Sequence, residues 1–449
     1  MNIINSFPGY EFVWDEDKKK YCNMYRGTDL GFGGYIRSNP NIYTNVALLD
    51  IASLHPNSII NMNYFGEYTQ NYKDILNARI AIKHNDFESA RHILNGRLAK
   101  YLDDESQAKD LAQALKICLN STYGLTAASF DNPMRDNRNK NNIVALRGSL
   151  YMKTLQDEVE SRGFEIVALK TDSIKIANAT KEIVDFCMDF AKRYGYTFEF
   201  EAFYDRICQI NDADYIARYK MPEDCESIFG YVPGDNKKHG GQWTATGKQF
   251  QVPYVFKTLF SKEPITFEDL CETKEVKTAL YLDMNENLPD VSGYENDLKK
   301  AEEKYKKGQL SDTTFENTCA ELNKLIEEGH DYHFIGKVGN FCPIKPGRGG
   351  GVLVAKRGEK YNSATGATGY RWLEAELIRE MGREDDIDKS YHNELVTNAV
   401  HAISAYGDFE WFVSDDPYAE PFPTEPAEDF INPPEEDEKV ELPWDPVEE

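Results

Sequence analysis

The sequence predicts an α+β fold, on three observations. The apolar run VALLDIAS (46–53) is a buried strand that ends in a carboxylate, Asp50. Residues 163–180 alternate apolar and polar side chains on either side of Lys170–Ser173, the pattern of a β-hairpin whose turn carries Asp172. Between these two, from about Tyr72 to Asn120, the pattern is helical and polar, with a break near Asp103–Asp104 that implies two antiparallel helices.

The remaining elements follow in order. Residues 1–45 are mixed, with a glycine turn at Gly31, Gly33 and Gly34 ahead of Tyr35. A helix is expected to begin near Pro56, because proline is tolerated in a first helical turn. Gly124 is placed to cap the end of the second long helix, with Leu111, Leu115, Cys118 and Thr122 as its apolar face. Residues 181–195 read as a helix and 197–219 as one or two strands. After Phe260 the chain becomes charged and helical, with a lysine-rich stretch at Lys299–Lys307 and a glycine cluster at Gly347–Gly351. The last 35 residues hold eight prolines and little apolar content, the composition of a disordered tail.

Composition bounds the function. At 449 residues the chain can hold more than one domain. No apolar run approaches the roughly 18 residues of a membrane span. The eight cysteines form no CxxC pair, so neither a zinc site nor a disulfide framework is indicated, and a reducing cytoplasm is the expected home. The net charge of −25 opposes a globally nucleic-acid-seeking surface. Much of it sits in the tail, where residues 415–449 carry fourteen Asp or Glu against one Lys. Any polyanion site must therefore be a local basic groove.

The chemistry lies in three strings. Asp50 and Asp172 each end an apolar strand or turn, and a sheet with adjacent strands brings such residues together. Either one alone is as readily a cap or turn residue. At 100° per residue Lys116, Asn120 and Tyr123 share one helical face. Arg79 and Lys83 stand four apart on the preceding helix, suited to phosphate oxygens. Two carboxylates with a cationic helix opposite are what two-metal phosphoryl or nucleotidyl transfer requires.

These strings resemble the polymerase motifs of family B DNA polymerases, in that family's order. Asp50, Ser53, Leu54, His55 and Pro56 stand for D-x-x-S-L-Y-P; Lys116, Asn120, Ser121, Tyr123 and Gly124 match K-x-x-x-N-S-x-Y-G in full; Lys170, Thr171, Asp172 and Ser173 stand for D-T-D-S. FEFEAFY (198–204) resembles the following palm strand, and KTDSIKI with TGYRWLEAE is similar to the polymerases of tailed bacteriophages. The resemblance runs from about residue 30 to 400. It implies a right-hand architecture with an antiparallel-sheet palm, short helical-hairpin fingers and a mainly helical thumb. The expected boundaries are a lead-in at 1–45, palm at 46–65 and 126–260, fingers at 66–125, thumb at 261–412 and acidic tail at 413–449.

The resemblance also implies roles. Asp50 and Asp172 are the catalytic pair holding two Mg²⁺ ions, with Mn²⁺ as an alternative. Ser53, Leu54, His55, Arg79, Lys83, Lys116, Asn120 and Tyr123 meet the incoming deoxynucleoside triphosphate. Gly124, Lys170, Thr171, Tyr215 and Lys248 meet primer–template DNA. The expected activity is DNA-templated DNA polymerisation in phage replication, in the cytoplasm of the host bacterium, with no membrane partner. With 49 residues ahead of Asp50, proofreading is expected from a separate exonuclease polypeptide, and the acidic tail is expected to meet other replication proteins.

Three departures matter. Lys170 replaces the first aspartate of D-T-D-S and is expected to favour ionised Asp172. His55 replaces the tyrosine that excludes a ribose 2′-hydroxyl, which opens a nucleotidyltransferase with relaxed sugar selectivity. The family's K-K-x-Y reads Asp212, Ala213, Asp214, Tyr215, leaving Arg218 and Lys220 as nearby substitutes. A catalytically silent, primer-template-binding accessory protein is the alternative these losses allow. The GRGGG segment with Tyr370, Arg371 and Trp372 is a further expected grip on the DNA backbone.

Overall fold

The structure is a computed structural model that describes residues 6–135, 139, 142–284, 292–358, 360–364 and 369–415. The expected acidic tail lies almost wholly outside the described residues. Among them, no helix is long and apolar enough to cross a membrane.

A seven-stranded sheet, with every pairing antiparallel, forms the centre. The N-terminal strands β1 (Tyr10–Asp15), β2 (Lys20–Tyr25) and β3 (Thr28–Asp29) make a small separate sheet. Into the central sheet go β4 (Ile36–Ser38), β5 (Asn41–Ile51), β6 (Ile166–Lys170), β7 (Ser173–Ile176), β8 (Phe198–Gln209), β9 (Tyr215–Tyr219) and β10 (Trp243–Thr246), in the order β10-β9-β8-β5-β7-β6-β4. VALLDI is a strand as expected, because β5 lies between β7 and β8 and buries Val46, Ala47, Leu49 and Ile51.

The helices that frame this sheet are α1 (Leu54–Asn61), α2 (Thr69–Lys83), α3 (Glu105–Ala127), α4 (Ile143–Ser161) and α5 (Lys181–Arg193). Helix α4 is almost entirely buried, and its Leu150, Tyr151 and Leu155 join Leu49, Ile51, Ile174, Val184 and Phe203 in the largest apolar core. Burial of this size, at about 25 cal/mol per Å² of apolar surface, is what holds the sheet and its carboxylate-bearing ends in place.

Helices α2 and α3 form the expected antiparallel pair. Tyr72, early in α2, donates a 3.2 Å hydrogen bond to the Leu119 carbonyl late in α3, while Ile82 packs with Ala108 at the opposite ends. Three expectations need correction. The first helix ends at Lys83 rather than near Asp103, and a short helix with 3₁₀ turns fills the gap to Asp104. Gly124 is not a cap, since α3 continues to Ala127 and Gly124 has no positive φ. Of the expected apolar face, Thr122 is buried and Leu111 and Leu115 pack beside Ile82 and Ala108, but Cys118 is exposed and Leu119 takes the buried position instead.

Beyond residue 260 the expected mainly helical region holds a five-stranded antiparallel sheet as well. Strands β11 (Glu272–Asp283), β12 (Tyr332–Ile344), β13 (Val352–Arg357), β14 (Lys360–Ser363) and β15 (Arg371–Glu374) run in the order β14-β13-β11-β12-β15. The charged helical stretch supplies α6 (Ser292–Lys306) and α7 (Asp312–Glu328), and α8 (Lys389–Ser404) follows the sheet. Trp372 is fully buried against Tyr391, and Gly351 and Trp372 exchange backbone hydrogen bonds of 2.8 Å. This tryptophan is sheet core rather than a grip on DNA.

Candidate functional site

Asp50 and Asp172 meet through the sheet register. Strand β5 pairs β7 so that Asp50 faces Ser173, and the Ile51 amide donates to the Asp172 carbonyl at 2.8 Å. The β6–β7 turn is tight. Thr171 takes a left-handed φ of 57° and its amide donates to the Tyr35 carbonyl at 2.9 Å. Gly34 is required beside it: a Cβ there would lie 2.2 Å from Thr171 Oγ1. The glycine-rich segment before β4 therefore holds the turn that presents Asp172.

Both carboxylates open onto one cleft of about 470 Å³. Its walls carry Ser53, Leu54 and His55 from the start of α1, Arg79 and Lys83 from α2, and Lys116 and Asn120 from α3. Nine of the expected residues, from four separate parts of the chain, thus share one space. Tyr123 joins them indirectly. Its ring stacks on His55 at 4.3 Å and 12°, and its hydroxyl donates to Asn142 Oδ1 at 2.8 Å.

The cations differ in readiness. Arg79 donates to Ser53 Oγ at 3.1 Å. Lys83 is paired with Glu199 at 2.8 Å. Lys116 is exposed and has no hydrogen bond or ion pair with another described residue.

Two carboxylates that sequence reasoning missed, Glu199 and Glu201, line the same cleft. The signal was available: FEFE on β8 alternates, so its two phenylalanines face the core while both glutamates face Asp50's side.

Burial, and then Asp172, Glu201 and Glu199, push the Asp50 carboxyl up to about 8, with Lys83 opposing. Burial raises Asp172 from the usual carboxylate range, so the expectation that Lys170 keeps it readily ionised is not met; Lys170 is an exposed side chain. Burial holds His55 below its ordinary value, leaving a neutral ring at pH 7, and its Nδ1 is buried without a hydrogen bond.

Among the described residues no three His, Cys, Asp or Glu side chains gather closely enough to hold a metal ion unaided. The donor set still suits a hard divalent cation. It is all oxygen, its carboxylates repel one another, and Mg²⁺ is ordinarily held by one or two carboxylates with substrate phosphates completing the shell.

The expected DNA contacts separate. Lys170 and Tyr215 line a second cleft beside Asp50. Thr171 is a turn residue packed on Gly34. Gly124 and Lys248 are exposed and line neither cleft. Gly247, beside Lys248, has φ 92° and sits where a Cβ would collide with Asp214. Arg218 and Lys220, the expected nearby substitutes for the missing lysines, are both engaged within the fold. Arg218 is held by the Gly241 and Ser414 carbonyls and by Asp415 at 3.0 Å, and Lys220 by Asn45 and Asp205.

No family model matches the chain, and no curated protein matches it. Among solved structures it is similar to the family B DNA polymerase of the hyperthermophilic archaeon Pyrobaculum calidifontis, at 12% identity and a TM-score of 0.40. That similarity covers 86% of this chain and 49% of the other, so the chain spans about half the length of that polymerase. A similarity at this level says nothing of activity.

Proposed function

We propose that the chain is a DNA-templated DNA polymerase that adds deoxynucleotides to a primer 3′ end by two-metal nucleotidyl transfer. The supporting observation is the convergence of Asp50 and Asp172 with Arg79, Lys83, Lys116 and Asn120 around one cleft. On this reading the seven-stranded sheet is the palm, α2 and α3 are the fingers, and the region beyond residue 260 is the thumb.

Lys116, without a side-chain partner among the described residues, and Arg79 receive the triphosphate of the incoming nucleotide. Lys83 leaves Glu199 to join them, exchanging one anion for another. The His55–Tyr123 stack forms the wall under the sugar, and Asn120 borders the new base pair. Asp50 and Asp172 would hold Mg²⁺ or Mn²⁺, which when bound lowers the pKa of the primer 3′-hydroxyl and offsets charge on the departing pyrophosphate. The repulsion that Asp172, Glu201 and Glu199 exert on Asp50 favours binding of such cations. The finer reading, a tailed-bacteriophage enzyme replicating DNA in its host's cytoplasm, rests on the KTDSIKI and TGYRWLEAE strings.

One observation favours relaxed sugar selectivity as a second reading. The ring at the sugar wall is a neutral imidazole, smaller than a tyrosine. Primer extension with Mg²⁺, using deoxy- and ribonucleotides with and without template, tests both. Template-dependent extension by deoxynucleotides supports the polymerase. Equal use of ribonucleotides supports the second reading. No extension under any condition refutes both and favours a silent primer-binding protein.

A further inference from the structure

Asp50 and Glu201 also border a second cleft of about 160 Å³. Its other polar walls are Lys170, Ser173, Lys175, Gln209, Asp212, Tyr215 and Thr246. Lys175, on β7, is 8% exposed. Its Nζ sits 3.3 Å from the centroid of the Tyr215 ring and 3.4 Å from Gln209 Oε1. No carboxylate of the described residues lies within ion-pair distance of it.

This is an incomplete environment for a cation. A buried ammonium is costly unless paired and fully hydrogen-bonded, and a ring face with one long hydrogen bond offsets only part of that cost. Burial, and then the charge of Lys170, lower Lys175 to about 7. Lys170 and Lys175 repel each other across this cleft, and a hydrogen-bond acceptor that reaches Lys175 would complete the shell of its ammonium. The cleft is too small for a free nucleotide, since ligand pockets usually hold about 300 Å³ or more. It suits one edge of a larger molecule that reaches Asp50 by a route other than the triphosphate cleft.

We infer that this smaller cleft receives the 3′-terminal nucleotide of the primer, and that Lys175, steadied over the Tyr215 ring, is the positioning residue that donates to it. The inference rests on the polymerase reading and deepens it. It also accounts for the lost lysines of the 212–215 segment: β7, with two strands between it and β9 in the same sheet, supplies the cation that Asp212 and Ala213 do not, and Tyr215 becomes its support. The partner atom is an acceptor on the terminal nucleotide, either a phosphodiester oxygen or a minor-groove base atom.

The experiment compares wild type with Lys175→Met, which keeps the volume and removes the donor. Equilibrium binding to a recessed-end primer–template is read first, because it does not depend on catalysis. The expected result is an affinity lower by about 10-fold or more, the usual effect of losing a hydrogen bond from a charged group. In extension, KM for primer–template should rise by a similar factor while KM for deoxynucleotide stays within about twofold. The thermal midpoint should be equal or higher, since a buried cation has been removed. Primers with a methylphosphonate at the terminal linkage, or ending in 3-deaza-2′-deoxyadenosine, identify the acceptor: one of them should weaken wild type and leave Lys175→Met unaffected. Wild-type binding by Lys175→Met overturns the inference and leaves Lys175 a structural lysine. So does a change confined to KM for deoxynucleotide or to pyrophosphate inhibition. Absence of extension by wild type, with the binding difference intact, refutes the polymerase reading instead.

Discussion

Replacing Asp50 by Asn should make the metal-free protein more stable at neutral pH while destroying its activity. The Asp50 carboxyl is raised from an ordinary 3.8 to about 8 by burial and by three neighbouring carboxylates. A raised folded-state pKa means the native state holds a proton the unfolded chain has released. The associated stability is fully present below about pH 4 and is lost as pH rises toward 8. At about 1.4 kcal/mol per unit the nominal loss exceeds 5 kcal/mol. The carboxylate borders an open cleft, so solvent screening leaves about 1–3 kcal/mol. The amide carries no charge to bury, so Asp50→Asn should exceed wild type by about that amount at pH 8 and by little at pH 4. Urea unfolding of both proteins in a chelator, across pH 4–8, reads the difference directly. Added Mg²⁺ should then stabilise wild type at pH 8 and the variant much less. A difference that stays flat with pH, or a variant less stable than wild type at pH 8, refutes the reasoning.

Lys116→Ala should raise KM for deoxynucleotides about 10-fold or more with primer–template affinity nearly unchanged, because its unpaired cation faces the triphosphate cleft; steady-state kinetics beside DNA binding checks the split. His55→Tyr should increase the ratio of kcat/KM for deoxy- over ribonucleotides, since a larger ring fills the sugar wall; competition between the two sugars measures it. Gly34→Val should cost about 1–3 kcal/mol, because its side chain collides with Thr171 and displaces the Asp172 turn; the urea midpoint and extension rate should fall together.

Much of the site was legible because its residues sit in short strings whose local geometry is fixed. Asp50 ends an apolar strand, Asp172 sits in a hairpin turn, and Lys116, Asn120 and Tyr123 follow the helical repeat. Sequence alone did not set the longer-range pairings. The opposition of Asp50 to Glu199 depends on which strand lies beside β5, and β8 arrives about 150 residues later. The place of Lys175 depends on the same sheet order, which carries its ammonium across to Tyr215 on β9. Lys170 was misjudged for a related reason: the burial that raises Asp172 cannot be read from the neighbouring letters. The sheet beyond residue 260 was hidden because its strands, such as KEVKTALYLD and YHFIGKVGNF, carry lysines and glycines among few buried positions.

The central claim is that Asp50 and Asp172 form one catalytic centre for templated nucleotide addition. Single-nucleotide incorporation opposite each of the four template bases, with Mg²⁺, comparing wild type with Asp172→Ala, tests it most directly. The account predicts that wild type adds the complementary deoxynucleotide and that Asp172→Ala, still folded and still bound to primer–template, loses incorporation by a factor of roughly 10³ or more. Incorporation by Asp172→Ala at the wild-type rate, or addition by wild type that ignores the template base, would contradict it.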